Sequence, residues 1–402
     1  MLNGKLKEKS PQNFQKKNTA LENINKNNIN QRKLYEYDNY ITIYFKEDVT
    51  YESGFSNTFR KNISFIINTK DNTEKSKEEQ ININKDYGIQ IHFSEKVTTL
   101  FSFFSRYNDQ NMQYLISVDF SNLDSSSVSN MATLFQGCNS LEYIDFSNFD
   151  SSSASEMGLM FEKCSSLEYV DLSSFNTPLL FSMGSMFAEC SSLKSIDLSN
   201  FDTSNLYFVD ALFYYCTSLK SINIPNFGVS FVSSLSSMFS GCESLVSIDL
   251  SNIDTSLITR MEQMFWGCSS LKSLDLSNWK TPLLADIGYI FHDCISLESI
   301  NLSNLNLSNI YSLKNLFYNC SSLQSVDMSY TNISKVNDVS NIFYGCSSLK
   351  IINFYNMNAS SLINMYSLFS GYNTLESLYL SGFDGSSLTS LSNIFKGLNS
   401  LK

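Results

Sequence analysis

Every cysteine in the chain falls on one arithmetic series: Cys138, Cys164, Cys190, Cys216, Cys242, Cys268, Cys294, Cys320 and Cys346, each 26 residues after the last. A residue that returns at one fixed interval marks a tandem array, and periods of this size belong to solenoids and related repeat folds. The series continues to Tyr372 and Leu398 and reaches back to Met112, so the array covers roughly 112–402. Two further columns keep the register. Phe stands three residues before each point from Phe135 to Phe395, and Leu three residues after it from Leu141 to Leu401. TPLLFSMGSMF from Thr177 and TPLLADIGYIF from Thr281 lie four units apart, as if blocks of four had been duplicated.

Within the unit that starts at Cys190, Leu193, Ile196 and Leu198 are apolar, and Ser195, Asp197 and Ser199 alternate with them. That alternation predicts a short strand with one buried face. Asp202-Thr203-Ser204 then reads as a capping cluster, and Leu206, Val209, Leu212 and Phe213 have the spacing of a short helix or 3₁₀ turn with one face inward. Pro178 and Pro282 fall where a first-turn proline is tolerated. The residue before each lattice point is Gly137, Gly241, Gly267, Gly345, Gly371 or Gly397 in six units, and Asp293 or Asn319 in two others. These types accept the left-handed conformation that ends a helix. One unit cannot bury its own apolar stripe, but a stack can. The expected fold class is α/β: a leucine-rich-repeat solenoid with a parallel β-sheet on one face and short helices on the other, on the order of 50 Å long at ~4.8 Å per strand.

Residues 1–35 are rich in Lys, Asn and Gln and read as a disordered polar arm. Residues 36–96 read as a small β cap over the first coil, with strands at Tyr40–Phe45, Ile63–Ile67 and Tyr87–Phe93. The solenoid is then 97–402: about eleven repeats after a degenerate first coil, marked by Val97, Leu100, Phe103 and Phe104 and separated by a five-residue insertion near Tyr107 to Asn111. The far end stops mid-unit at Leu401-Lys402, which reads as a fragment, a truncated gene model, or an end that pairs with another molecule.

The array holds 11 basic and 25 acidic residues, whereas residues 1–111 hold 17 basic and 14 acidic, for an overall charge of −11. Acidity therefore belongs to the repeats, and it argues against partners held through nucleic-acid phosphates or anionic membranes. No apolar run has the length of a membrane span, and the first residues lack the apolar segment of an export signal. As written, the chain reads as cytoplasmic.

The cysteine column is the first candidate for chemistry. Stacked coils bring the Cα atoms within disulfide range, yet the side chains run parallel and their number is odd. Buried thiols packing as small hydrophobes is the reading to set against oxidative crosslinking. Zinc requires about four converging ligands, and a straight row offers none. His92 and His292 are the only histidines, and neither lies in a Cys-His or Ser-His-Asp context. No phosphate-binding glycine pattern occurs. The chain therefore reads as non-enzymatic, with no catalytic, cofactor-binding or metal-ligating residue to name. The sequons at Asn301, Asn306 and Asn332 arise easily in an Asn- and Ser-rich chain.

The better candidate is the exposed strand face. Seven residues after the lattice points stand Asp119, Asp145, Asp171, Asp197, Asp249, Asp275 and Asp327, with Asn223, Asn301, Asn353 and Tyr379 in the remaining units. In-register strands would set carboxylates ~5 Å apart, at a repulsion of roughly 1 kcal/mol per adjacent pair even in water. Either the column is a solvated ladder that keeps the sheet soluble, or the strip binds a basic partner surface or divalent cations.

The consensus LxxIDLSNFDTSxVxxMxxMFxGCSS, nearly whole in Leu245–Ser270, resembles the BspA-like leucine-rich-repeat surface proteins, in the 26-residue form found in mycoplasma, other bacteria and protists. The resemblance spans about 290 residues of the chain. One departure stands out: Phe149, Phe201, Trp279 and Leu305 occupy the place of the ladder asparagine, and Asn148, Asn200, Asn278 and Asn304 come one residue earlier, which predicts a differently built loop. The resemblance implies a cell-surface, adhesion-type protein that recognises a protein or surface polymer. The alternative is an intracellular protein-interaction scaffold using the same face.

Overall fold

A computed structural model describes residues 39–402, apart from 52–62, 70–72, 77–80, 84, 225–226, 304, 364–373 and 390–397. The expected polar arm and the lattice positions at Phe369, Gly371, Tyr372, Phe395 and Gly397 lie outside the described residues.

The chain is a leucine-rich-repeat-like β-solenoid of about ten turns. It opens with β1 (Tyr40–Phe45), β2 (Val49–Tyr51), β3 (Ile63–Asn68), β4 (Thr73–Lys75), β5 (Ile81–Ile83) and β6 (Ile89–Phe93). The solenoid strands follow: β7 (Leu115–Asp119), β8 (Tyr143–Asp145), β9 (Ser195–Asp197), β10 (Ser221–Asn223), β11 (Ser299–Asn301), β12 (Ser325–Asp327), β13 (Ile351–Asn353) and β14 (Ser377–Tyr379). The first sheet has the order β4-β3-β6-β1-β7-β8. In it β1 runs antiparallel along β7, whose other edge carries β8 in parallel. The N-terminal strands thus extend the solenoid's own sheet and satisfy the main-chain groups of its first strand, where an unpaired edge would invite association. Ile41, Ile43, Phe45, Ile89 and Ile91 join the same buried cluster as the repeats.

The first coil pairs with the next at an offset of 31, as in the bridge Thr99↔Asn130, and the following bridges Asn130↔Glu156 and Glu156↔Ser182 return to 26. The insertion leads into a short 3₁₀ helix, Gln110–Tyr114, with Asp109 accepting from the Asn111 N–H at its start.

The face opposite the strands corrects the expected helices. No α-helix occurs among the described residues. From Met131 to Gly137, alternate N–H groups leave the coil: Met131, Thr133, Phe135 and Gly137 donate to the carbonyls of Glu156, Gly158, Met160 and Glu162 at 2.7–2.9 Å. Leu134, Gln136 and Cys138, between them, close i→i−3 turns instead. A helix would commit every interior N–H to its own segment; here half of them bond the next coil. The apolar spacing of three is common to both structures, so the pattern could not tell them apart.

Two positions per coil pay for this geometry with left-handed backbone. Gly137, Gly241, Gly267 and Gly345 have φ between 70° and 82°, and the same column holds Lys163, Glu189, Tyr215, Asp293 and Asn319 at 55–62°. Four residues earlier, Thr133, Leu159, Ser185, Ala211, Ser237, Gln263, Tyr289, Asn315 and Asn341 lie between 55° and 60°. Such a conformation costs a non-glycine residue roughly 1–2 kcal/mol, offset here by the inter-coil hydrogen bonds.

Three interior columns hold the stack. Phe104, Phe135, Phe161, Phe187, Phe213, Phe239, Phe265, Phe291, Phe317 and Phe343 form a continuous pile of parallel rings with centroids 5.4–5.9 Å apart. Every cysteine is buried and free, and each Sγ donates to the carbonyl of the preceding coil's Phe, from Cys138 to Phe104 at 3.0 Å through Cys346 to Phe317 at 3.1 Å. The column is thus a ladder of thiol hydrogen bonds between coils as well as apolar filling. Burial pushes the Cys268 and Cys346 thiols up to about 12, and the other seven upward as well. Native protein is expected to take up essentially no thiol reagent over minutes, because the thiolate is the reacting form, and to take up nine equivalents after denaturation. Mass spectrometry after maleimide treatment checks this, and rapid native labelling of any one thiol would contradict it.

The third column corrects the reading of Asp-Thr-Ser as a helix cap. Ser151, Thr177, Thr203, Thr255 and Thr281 are buried, and their hydroxyls clamp the next coil. Thr255 Oγ1 accepts from the Lys280 N–H at 2.9 Å and donates to the Lys280 carbonyl at 2.9 Å. Ser151 does the same with Asn176, at 2.8 and 3.0 Å. Where Ile333 and Ala359 replace the hydroxyl, main-chain bonds to Asn358 and Asp384 take over. The loop after the strand differs from an asparagine ladder as its sequence predicts. Phe149, Phe175 and Phe201 stack inside at 5.7–5.8 Å. The displaced Asn148, Asn200 and Asn278 side chains donate to Ser121, Ser173 and Ser251 carbonyls of the preceding coil.

Candidate binding face

The side chains of Asp119, Asp145, Asp171, Asp197, Asp249, Asp275 and Asp327 are all outside the core, because each sits one residue beyond an inward-facing position. Each also does local structural work. Its Oδ1 accepts from the N–H two residues on, as in Asp119 to Ser121, Asp145 to Ser147, Asp171 to Ser173, Asp197 to Ser199, Asp249 to Ser251, Asp275 to Ser277 and Asp327 to Ser329, at 2.8–3.0 Å. These are Asx turns that end the strand. Asn301 and Asn353 make the same bond to Ser303 and Tyr355, which accounts for Asp or Asn in these coils; Asn223 is followed two residues on by Pro225, which has no N–H to give, and its side chain donates to Asp197 instead.

Pairing brings some of the strip together and not the rest. Asp119 stands opposite Asp145 in register. Asp197 lies beside Asn223, whose Nδ2 donates to its Oδ1 at 3.0 Å, and Asp327 lies between Asn301 and Asn353. Asn between Asp residues removes the like-charge repulsion along those stretches. Asp171, Asp249 and Asp275 fall in coils that carry no assigned strand among the described residues, so the sheet is interrupted there. Hydrogen bonds from the Ser251 and Ser277 side chains and backbones hold the Asp249 and Asp275 carboxyls below their ordinary value. At Asp197 partial burial acts upward, but the Ser199 and Asn223 bonds outweigh it and the net shift is downward. The half-buried Tyr143 phenol is raised, first by burial and then by Asp145, Asp119 and Asp171.

Toward the C-terminal end the face forms a shallow groove of about 530 Å³. Asp275, Asn301, Asp327 and Asn353 run along it, with Ser273, Ser299 and Ser325 beside them, and Tyr379 closes one end. Among the described residues no three His, Cys, Asp or Glu side chains gather as metal ligands. One carboxylate per coil makes a row, whereas calcium takes six to eight oxygens around one point. His92 stacks on Tyr40 at 4.8 Å, and His292 stacks on Tyr318 at 4.6 Å with Nδ1 3.0 Å from Asp293.

Two exposed features escaped the strand-face reading. One is a cluster on the turn side of the coils: Phe181 lies 4.9 Å from Tyr207 and 5.3 Å from Phe208, and Tyr207 stacks on Phe231 at 5.3 Å. The other is a groove along the left-handed column, lined in part by Arg106, Lys163, Glu189 and Tyr215. Its signal was present in the sequence, as three consecutive units in which the favoured Gly is replaced by Lys, Glu and Tyr.

No helix among the described residues is long and apolar enough to cross a membrane. The profile of the family described as "Mycoplasma protein of unknown function, DUF285" matches residues 95–227, 233–352 and 340–402. No match is found among curated proteins. Solved structures similar to the chain include a leucine-rich-repeat protein of T. pallidum, 22% identical, covering 42% of this chain and 72% of that one, with a TM-score of 0.31. A leucine-rich-repeat protein of Eubacterium ventriosum is 14% identical, covering 68% and 91%, with a TM-score of 0.23. The Toll–Spatzle complex of Drosophila is 17% identical, covering 73% and 42%, with a TM-score of 0.34.

Proposed function

The chain belongs to the DUF285 family of mycoplasma proteins, and we propose that it is a non-enzymatic binding scaffold that recognises a protein or surface polymer through its exposed strand face. The observation that supports this most directly is the groove of about 530 Å³, where Asp275 and Asp327 alternate with Asn301 and Asn353 beside a row of Ser hydroxyls. The array's net charge of −14 suits a basic partner surface. The resemblance to BspA-like repeats supports an adhesion-type role at the cell surface. Protease shaving of intact cells tests the placement: loss of the protein supports it, and protection favours an intracellular scaffold.

Neutralising the strip is a clean test of the site, because Asn reproduces the turn bond at Asn301 and Asn353. An Asp→Asn change therefore removes charge and leaves the fold in place. The combined variant Asp145→Asn, Asp171→Asn, Asp197→Asn, Asp275→Asn and Asp327→Asn is expected to bind an immobilised deca-lysine probe at least about tenfold more weakly than the parent, since a few partly exposed charge contacts of 0.2–1 kcal/mol each add up to that factor. The difference should shrink as salt rises. Equal binding by parent and variant at low salt would remove the strip from the site.

A further inference from the structure

The strand face is built differently at its N-terminal end, where β1 lies along β7. Residues opposite one another in a sheet point to the same face, so the pairings Tyr44↔Ser117 and Ser117↔Tyr143 set one outward row across β1, β7 and β8. Thr42↔Asp119 and Asp119↔Asp145 set a second row beside it. A small side chain thus stands between two phenol rings, with a pair of carboxylates next to it. In later coils the column of Tyr143 is Ser195, Ser221, Ser273, Ser299 and Ser325, and there the rings are gone.

Ser117 is 2% exposed, and its Oγ has no hydrogen-bond partner among the described residues. A buried hydroxyl left in that state is uncommon and calls for a reason. The neighbouring charges are unmatched as well: no cation pairs with Asp119 or Asp145 among the described residues. Elsewhere in the paired strands Asn223, Asn301 and Asn353 stand next to the Asp and relieve the repulsion. Here Asp faces Asp. Burial, then Asp119 and Tyr40 beside it, pushes the Tyr44 phenol up to about 12, which places that ring over the same face as the carboxylates. A Cβ on Gly88 would stand 2.7 Å from the Tyr44 ring, so glycine there lets the ring lie toward β6, on the side away from Ser117.

The spacing decides what such a row can hold. Tyr44 and Tyr143 are two strands apart, or ~9.6 Å at ~4.8 Å per strand, so a cation centred between them comes within the ~6 Å over which a ring face attracts positive charge. The carboxylates supply the countercharge, and the Ser117 oxygen can accept from an N–H. A gap one strand wide admits an unbranched chain. We infer that this end of the strand face seats a primary ammonium, the tip of a partner protein's lysine, between Tyr44 and Tyr143, against Asp119 and Asp145 and over Ser117. The half-buried Tyr143 side chain turns aside to let the ammonium reach the hydroxyl. The slot deepens the strand-face reading and rests on it for the partner being a basic protein.

The test titrates the full chain with Nα-acetyl-lysine methylamide, read by ligand-observed NMR, alongside its Nζ-acetyl and Nζ-trimethyl forms and the capped arginine. Capped lysine is expected to bind, with the neutral Nζ-acetyl form at least about tenfold weaker. The trimethyl form, which has no N–H for Ser117, should be about threefold weaker or more. Asp119→Asn with Asp145→Asn should lose about tenfold, since Asn keeps the turn bond at Asn301 and Asn353. Tyr143→Ser, which installs the residue of the later coils, should lose about threefold or more, and Tyr143→Phe should keep the affinity. Ser117→Ala should bind the primary and trimethyl forms equally while melting no lower than the parent. The slot is overturned if the Nζ-acetyl form or capped arginine binds as well as capped lysine, if the double Asn variant binds as the parent does, if Tyr143→Ser keeps its affinity, or if Ser117→Ala keeps the preference. Binding of deca-lysine without capped lysine removes the slot and keeps the strand-face reading; the reverse keeps the slot and removes that reading.

Discussion

Phe213→Ala lowers the unfolding free energy by about 3–5 kcal/mol, the range for a fully buried aromatic side chain deleted from a packed core. Phe213 is inaccessible to solvent, with Phe187 at 5.6 Å on one face and Phe239 at 5.8 Å on the other. Its neighbours cannot collapse into the gap, because main-chain bonds to the next coil hold each of them, Phe187 to Leu212 at 3.0 Å and Phe239 to Met264 at 2.9 Å. The loss also differs in kind from a core mutation in a globular domain. A solenoid coil touches only its two neighbours, so its stability is a sum of coil and interface terms, and a weak interface in mid-array uncouples the two sides. The urea melt of the variant is expected to broaden or split, with hydrogen exchange accelerated in residues around 190–240 and little changed near Phe317. A single sharp transition within about 1 kcal/mol of the parent would show that the ring pile is not what transmits cooperativity. Phe213→Leu keeps most of the volume and should cost clearly less.

Thr255→Val costs about 1–3 kcal/mol, the penalty for leaving a buried donor and acceptor unmet. The side chains are nearly isosteric, so the change isolates one hydroxyl whose two bonds, both 2.9 Å, close on the Lys280 N–H and carbonyl. Thr255→Ser keeps the clamp, loses one buried methyl, and should be the milder of the two. Chemical denaturation of both variants checks the order. If valine proves harmless, the coil has adopted the main-chain bridging used at Asn332↔Asn358, and the hydroxyl column does not set the stacking.

These two residues mark how far the sequence could be read. The Phe column and its burial follow from period alone, since a residue that recurs once per coil beside a buried cysteine has nowhere to go but inward. Thr255 belongs to a column that keeps its hydroxyl in most of the first coils and gives way to Val229, Leu307, Ile333 and Ala359, and its role was misread, because a hydroxyl before an apolar run fits a helix cap and an inter-coil clamp equally well. The Asp strip was legible as an exposed row. Its Asx turns were not, although Ser two residues on from nearly every Asp was the visible trace of them. The groove at Arg106 needed the column of glycines to be read for its exceptions.

The amino-acid sequence by itself determined the 26-residue coil, the buried ranks of Phe, Leu and Cys, and the outward rank of Asp, because burial in a stack repeats with the coil and one period fixes which positions face inside. Only the tertiary structure decided where the main-chain hydrogen bonds go. Met131 bonds Glu156, and Thr133 bonds Gly158, partners 25 residues away that no local pattern of apolar residues specifies. That choice replaces the expected helices with stacked turns, forces two left-handed residues into each coil, and lays Lys163, Glu189 and Tyr215 beside Arg106 along one groove.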